Sequence, residues 1–221
     1  MIVAEPKSFG ELVEMVGDHR RLLVASCSGC TAVGGVGGVR QARELACALR
    51  IHFRIRGVEL ATEVAGVTRQ CDPEFVAELD GAVDRNEAVL SLGCGVGVQF
   101  LADRFNRVPV FPGLNTRFAG GLTAAGIWEE KCRLCGDCIL HLTGGICPLT
   151  RCAKGILNGP CGGSQDGLCE VGDGMPCAWQ LIYERLSSLG RVGLLEQIRR
   201  PRNWADSGGG PRRLGNGGAG E

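Results

Sequence analysis

The sequence predicts an α/β fold, an open parallel sheet with helical crossovers, followed by a small loop-rich and cysteine-rich domain. Three observations predict it. Compact apolar runs alternate with amphipathic stretches over residues 1–128, the pattern of buried parallel strands joined by helices. Eight of the thirteen cysteines fall between Cys132 and Cys177. That same segment is rich in glycine and proline and has too few aliphatic side chains for a conventional core. The expected divisions are 1–128, 129–200 with a closing helix, and an unordered glycine-rich tail over 201–221.

In chain order, "FGELVEMVGD" has the spacing of a short amphipathic helix, and "RLLVAS" is a compact strand from Leu22 to Ser26 that ends on Cys27. "GGVRQARELACALR" is a helix after a glycine-rich turn, with Ala42, Leu45, Cys47 and Leu49 as its core stripe. "GVELATEVAG" is β-rich. "DPEFVAELDGAV" predicts one helix with Asp72 as N-cap and Pro73 at its first position. "EAVLSLG" is a buried strand, "GVGVQFLADRF" a helix and "RVPVFPG" a strand. Beyond the cysteine-rich segment, "CAWQLIYERLSSLG" is an amphipathic helix, and "RVGLLEQIRR" adds another. Trp179, Ile182 and Leu186 form a stripe on the first of these, suited to a groove on a partner or to covering the α/β part.

Composition excludes several classes. Basic and acidic residues balance at 24 each, and aromatics are only 5%, so neither nucleic acid nor an anionic membrane is an expected partner. The opening "MIVAEPKSFGELVEMVGDHRR" has no basic region followed by an apolar run, and no stretch reaches the length of a spanning helix. A cytoplasmic location without membrane insertion is expected. In that reducing setting an odd number of cysteines favours metal ligands or redox groups over disulfides.

The thiols form two sets. Cys27 and Cys30 follow the first strand of the predicted sheet, Cys71 the second, and Cys94 the "AVLSLG" strand. In a parallel sheet such turns share one edge, so these four can converge on a further metal or cluster site. Small buried hydrophobes is the competing reading for Cys71 and Cys94. "GGVGG" and "GCGVG" do not complete a dinucleotide fingerprint, because Arg40 and Phe100 stand where its third glycine belongs.

The second set is Cys132, Cys135, Cys138, Cys147, Cys152, Cys161, Cys169 and Cys177. Structural zinc takes separated C-x2-C pairs, whereas "CRLCGDC" overlaps them into a triplet, followed by Cys147-Pro148. A triplet with a later Cys-Pro marks 4Fe–4S sites. Eight thiols suggest two such clusters, although the gap before Cys-Pro is eight residues where ferredoxins use about three. His141 lies among the thiols as a solvent-side residue or a ligand, and Arg151 and Lys154 can offset cluster charge. No P-loop, nucleophile elbow or paired carboxylates are present, so no catalytic residues are assigned.

"SLGCGVGVQ", "LNTRFAGG", "CRLCGDC", "TGGICPLTRCAKGILNGPCGGSQDGLCEV" and "CAWQLIYERL" resemble the small iron–sulfur subunit of acetogen-type methylenetetrahydrofolate reductases. The same region resembles the methylenetetrahydrofolate reductase C-terminal domain family. The resemblance reaches to about Leu189. It implies an electron-transfer subunit that accepts electrons from a redox donor protein and passes them to a flavin-bearing catalytic subunit in the reductive acetyl-CoA pathway. The family's first CxxC continues to a third cysteine, and Gly34 stands there in this chain. The first set is therefore expected to hold a third cluster, zinc or nothing. The competing expectations are a zinc-stabilised interaction subunit of the same kind of complex, or a redox enzyme binding its own nucleotide.

Overall fold

The computed structural model describes residues 1–198, 200–202, 204 and 212, and it separates the chain into two compact units that meet between Glu129 and Glu130. The first unit runs β1 (Ile2–Pro6), α1 (Phe9–Val16), β2 (Arg21–Cys27), α2 (Cys30–Val33), α3 (Val39–Ile55), β3 (Ala61–Val67), α4 (Pro73–Ala77), α5 (Asp80–Asp84), β4 (Ala88–Ser91), α6 (Gly95–Arg104), β5 (Val110–Pro112) and β6 (Leu114–Ala124). Strand β7 (Ile127–Cys132) crosses the division.

Strands β2 to β5 form a four-stranded sheet, parallel throughout, in the order β3-β2-β4-β5. Its central strands read as unbroken apolar runs because both faces are covered. Leu22, Val24 and Leu90 pack with Ala42, Ala46, Leu49 and Phe53 of α3 on one side. Leu23, Ala25 and Val89 pack with Val76, Val83 and Leu101 on the other. The chain thus proceeds outward from β2 to β3, then crosses back to lay β4 on the opposite side of β2, which makes a switch point between β2 and β4.

Local chemistry sets the ends of the helices. Ser8 and Glu11 form a reciprocal capping box at α1, and Asp72 caps α4 with Pro73 at its first position. The expected single helix after Asp72 is broken into α4 and α5, which leaves Val76, Leu79, Ala82 and Val83 all buried on one side. Cys47 is a correction: the buried stripe of α3 is Ala42, Ala46, Leu49 and Phe53, and Cys47, one position beyond Ala46, is exposed.

A second sheet is absent from the sequence reading. It has the order β1-β6-β7, with β1 antiparallel to β6. Its strands alternate less clearly because few of their side chains are fully buried. Only Ala125 and Gly126 separate β6 from β7, and Gly126 takes a φ of +76°, a left-handed conformation that glycine adopts without steric cost.

The second unit contains α7 (Pro148–Arg151), β8 (Ser164–Gln165), β9 (Leu168–Cys169) and α8 (Ala178–Ser188), with short 3-10 turns at Leu140–Leu142 and Val192–Glu196. The latter turn replaces the expected last helix. Asp166 and Gly167, both at positive φ, close the β8–β9 hairpin, the Asp-Gly turn favoured between antiparallel strands. Trp179, Ile182 and Leu186 are buried against Ile146, Cys152, Cys177, Leu194 and Leu195. This corrects the expectation of a partner-facing or α/β-covering stripe: these side chains are the unit's own core. The Trp179 indole N–H donates to the Ile156 carbonyl at 3.0 Å. Most of the expected unordered tail lies outside the described residues. No helix among the described residues is long and apolar enough to cross a membrane.

Because Ile182 is fully buried in so small a core, Ile182→Ala is expected to destabilise the second unit by about 2 to 5 kcal/mol. Limited proteolysis checks it: cleavage within residues 130–198 rises sharply, while the first unit keeps its protection.

Candidate metal centres

In the second unit the eight thiols are carried mainly by turns. Cys132 closes β7, Cys147 and Cys152 flank α7, Cys169 ends β9, and Cys177 is the N-cap of α8. Cys135, Cys138 and Cys161 lie in loops, and all eight are free thiols. Cys152 and Cys177 both pack against the Trp179–Ile182–Leu186 core, and the Cys177 N–H donates to the Gly167 carbonyl at 2.8 Å.

Two turns already aim backbone donors at sulfur. The Leu134 N–H lies 3.4 Å from Cys132 Sγ, and the Gly163 N–H lies 3.4 Å from Cys161 Sγ. The first turn needs unusual backbone, with Leu134 at φ 53° and Gly136 at φ 87°. Arginines hold it from outside: Arg202 donates to the Cys135 carbonyl at 3.0 Å and Arg212 to the Leu134 carbonyl at 3.2 Å. Lys154 Nζ stands 3.7 Å from Cys161 Sγ and also pairs with Glu170. Their mutual hydrogen bond raises the lysine's pKa and lowers the carboxylate's. His141 is exposed.

The donor set therefore has the chemistry of a thiophilic metal centre, and its turns supply N–H groups to sulfur. The thiols do not form a closed shell: among the described residues no three His, Cys, Asp or Glu side chains stand together as ligands of one ion.

In the first unit, Cys27 ends β2, Cys71 follows β3, and Cys94 is the N-cap of α6 after β4. Cys30 begins α2. Partial burial, and then the nearby Cys94 and Cys27, push the Cys71 thiol up, with Arg69 pulling the other way. The residues that organise these turns are ones the sequence reading missed. Gln70, fully buried, donates from Nε2 to the Ala25 carbonyl at 3.0 Å and accepts from Ser91 Oγ at 2.6 Å. Ser91 Oγ in turn accepts from the Gly93 N–H, and Thr31 Oγ1 donates to the Leu92 carbonyl. One buried network thus joins the turns after β2, β3 and β4. The signal available was a lone glutamine beside a cysteine in "RQCDP", which no spacing rule distinguishes from a solvated loop residue.

The glycine runs serve this packing. A Cβ on Gly37 would lie 2.1 Å from Thr31 Oγ1 and 2.3 Å from the Leu92 carbonyl, and one on Gly97 would lie 2.7 Å from Gln70 Cβ. They are close-approach positions.

Comparison with known proteins adds one finding. Residues 111–205 match the family described as methylene-tetrahydrofolate reductase C terminal. The match associates this part of the chain with methylenetetrahydrofolate reductase, and it covers β6 to α8, including all eight thiols of the second set. No curated protein and no solved structure matches the chain.

A Cβ on Gly93 would lie 2.1 Å from Gln70 Oε1, and Gln70 is held at both ends of its amide. Gly93→Ala is expected to cost about 1 to 3 kcal/mol by overpacking. Gly10→Ala, with nothing within 4 Å, is the control. Denaturant unfolding of the two variants checks the difference, and equal midpoints would remove the network from its organising role.

Proposed function

We propose that the chain is an electron-transfer iron–sulfur subunit of a methylenetetrahydrofolate reductase complex, located in the cytoplasm and serving one-carbon (reductive acetyl-CoA) metabolism. It receives electrons from a redox donor protein and passes them to a flavin-bearing catalytic subunit. The observation that carries this reading is the coincidence of the family match with the thiol-rich unit.

Cys132, Cys135, Cys138, Cys147, Cys152, Cys161, Cys169 and Cys177 are the residues that would hold two 4Fe–4S clusters. Such clusters, when bound, supply one-electron transfer at potentials tuned by hydrogen bonds to sulfur and by exposure. The chain's own contribution is to hold the thiolates. The Leu134 and Gly163 N–H groups face Cys132 and Cys161, and Lys154 brings positive charge to Cys161. Arg202 and Arg212 anchor the carbonyls of the "CRLCGDC" turn. Reduction of a methylene group consumes a two-electron hydride equivalent, which a flavin can gather from single electrons. That requirement assigns the chemical step to a partner and leaves this chain the supply of electrons.

The test uses the chain purified without exposure to air, alone and with a flavin-bearing methylenetetrahydrofolate reductase subunit. Cys135→Ala is expected to remove about four irons, one cluster's worth. It should abolish donor-driven turnover by the complex while flavin stays bound to the partner. Zinc with negligible iron, or full donor-driven turnover in the variant, would contradict the reading and favour a zinc-stabilised interaction subunit.

A further inference from the structure

The family match begins at residue 111, so it does not describe α3, and the solvent side of that helix departs from the usual amphipathic pattern. Ala42, Ala46, Leu49 and Phe53 are buried against the sheet, and the opposite side of such a helix is ordinarily polar. Ile51 and Ile55, one helical turn apart, instead stand there 54% and 76% exposed. Beside them Arg43, Cys47, Arg50 and Arg54 follow one another at helical spacing, which sets them in a single stripe.

The same surface is cationic. Residues 39–56 hold five arginines, Arg40, Arg43, Arg50, Arg54 and Arg56, against one carboxylate, Glu44. Arg40 pairs with Glu44 at 3.9 Å, Arg50 donates to the Thr62 hydroxyl at 2.7 Å, and Arg56 donates to the His52 carbonyl at 3.3 Å. The Arg43 and Arg54 guanidinium groups have no hydrogen-bond or ion-pair partner among the described residues. A groove of about 670 Å³ opens between the helix and the segment leading into β3, with Cys47, Arg50, Ile51 and Arg54 on the helix side and Val58 and Glu59 on the other. Positive charge, an exposed isoleucine and a concave surface coincide there.

We propose that this face of α3 docks an acidic partner protein, which sets an apolar side chain into the groove against Ile51 and carboxylates against Arg43, Arg50 and Arg54. Arginines around a small apolar centre have the composition of interface anchors. Charge and shape decide between the occupants. A second copy of this chain, meeting α3 with α3 about a twofold axis, would set arginines against arginines. Nucleic acid would neutralise the arginines, but its phosphates leave Ile51 and Ile55 without apolar cover and are repelled by Glu59 on the rim. An anionic membrane attracts the arginines but presents no protrusion to fill the groove. A protein surface supplies both the carboxylates and the protruding side chain. The inference concerns the first unit and does not depend on the reading of the second.

The experiment titrates the full chain into a fluorescently labelled synthetic helix of Leu, Glu and Ala, with Leu and Glu on one side, and reads anisotropy. Saturable binding that weakens as salt rises is expected. Arg54→Glu and Ile51→Ser, both at exposed positions, should each weaken it about tenfold. Arg107→Glu, at an exposed position outside α3, should leave it unchanged. The combined variant Arg43→Glu, Arg50→Glu and Arg54→Glu should lose this peptide and gain binding of one with Lys in place of Glu, a gain that misfolding does not produce. No saturable binding by the unmodified chain, equal binding of a peptide with Ser in place of Leu, or full binding of the acidic peptide by the combined variant would overturn the proposal. Tighter binding of phosphatidylserine vesicles or duplex DNA than of the acidic peptide would overturn it in favour of a lipid or nucleic-acid surface.

Discussion

The second unit depends on a shortage of burial. Its hydrophobic core among the described residues is one stripe of α8, Trp179, Ile182 and Leu186, with Cys152 and Cys177 at its edge. The remaining backbone turns on positive-φ glycines and short hairpins, which contribute little buried apolar surface. A unit of this size cannot offset its chain entropy with so small a core. In the proposed reading, thiolate–metal bonds supply the difference, since ligand free energy is folding free energy in such domains. In that reading the cysteines that hold the clusters are also the ones on which the unit's order rests.

The first unit is built on the opposite principle. Two apolar layers sandwich a parallel sheet, and its one concentrated polar feature is the Gln70–Ser91 network at the strand ends. A buried glutamine is tolerable only when its amide is satisfied, and here the Ala25 carbonyl and the Ser91 hydroxyl satisfy it. The same hydrogen bonds fix the turns bearing Cys27, Cys71 and Cys94.

The parallel sheet was legible because its strands are short, doubly buried and apolar throughout, as "RLLVAS" and "EAVLSLG" are. The three-stranded sheet was not, because β1 and β6 are only partly buried and lack strict alternation. Cys47 was misplaced by one helical position, since Ala46 and Cys47 are both small and apolar and periodicity alone does not separate them. Trp179, Ile182 and Leu186 were recognised as one face, but sequence does not say what covers a face; the segments 146–152 and 194–195 do. The cysteine spacing identified candidate ligands, whereas Gln70 and the close-approach glycines required the folded arrangement to be seen.

The most direct measurement of the proposed role mixes the prereduced chain, without air and without external donor, with the oxidised flavin-bearing subunit. The account predicts that flavin absorbance falls through a transient semiquinone as the chain's own absorbance returns to that of its oxidised form. A flavin that stays oxidised beside a chain that accepts no electrons from dithionite would contradict it.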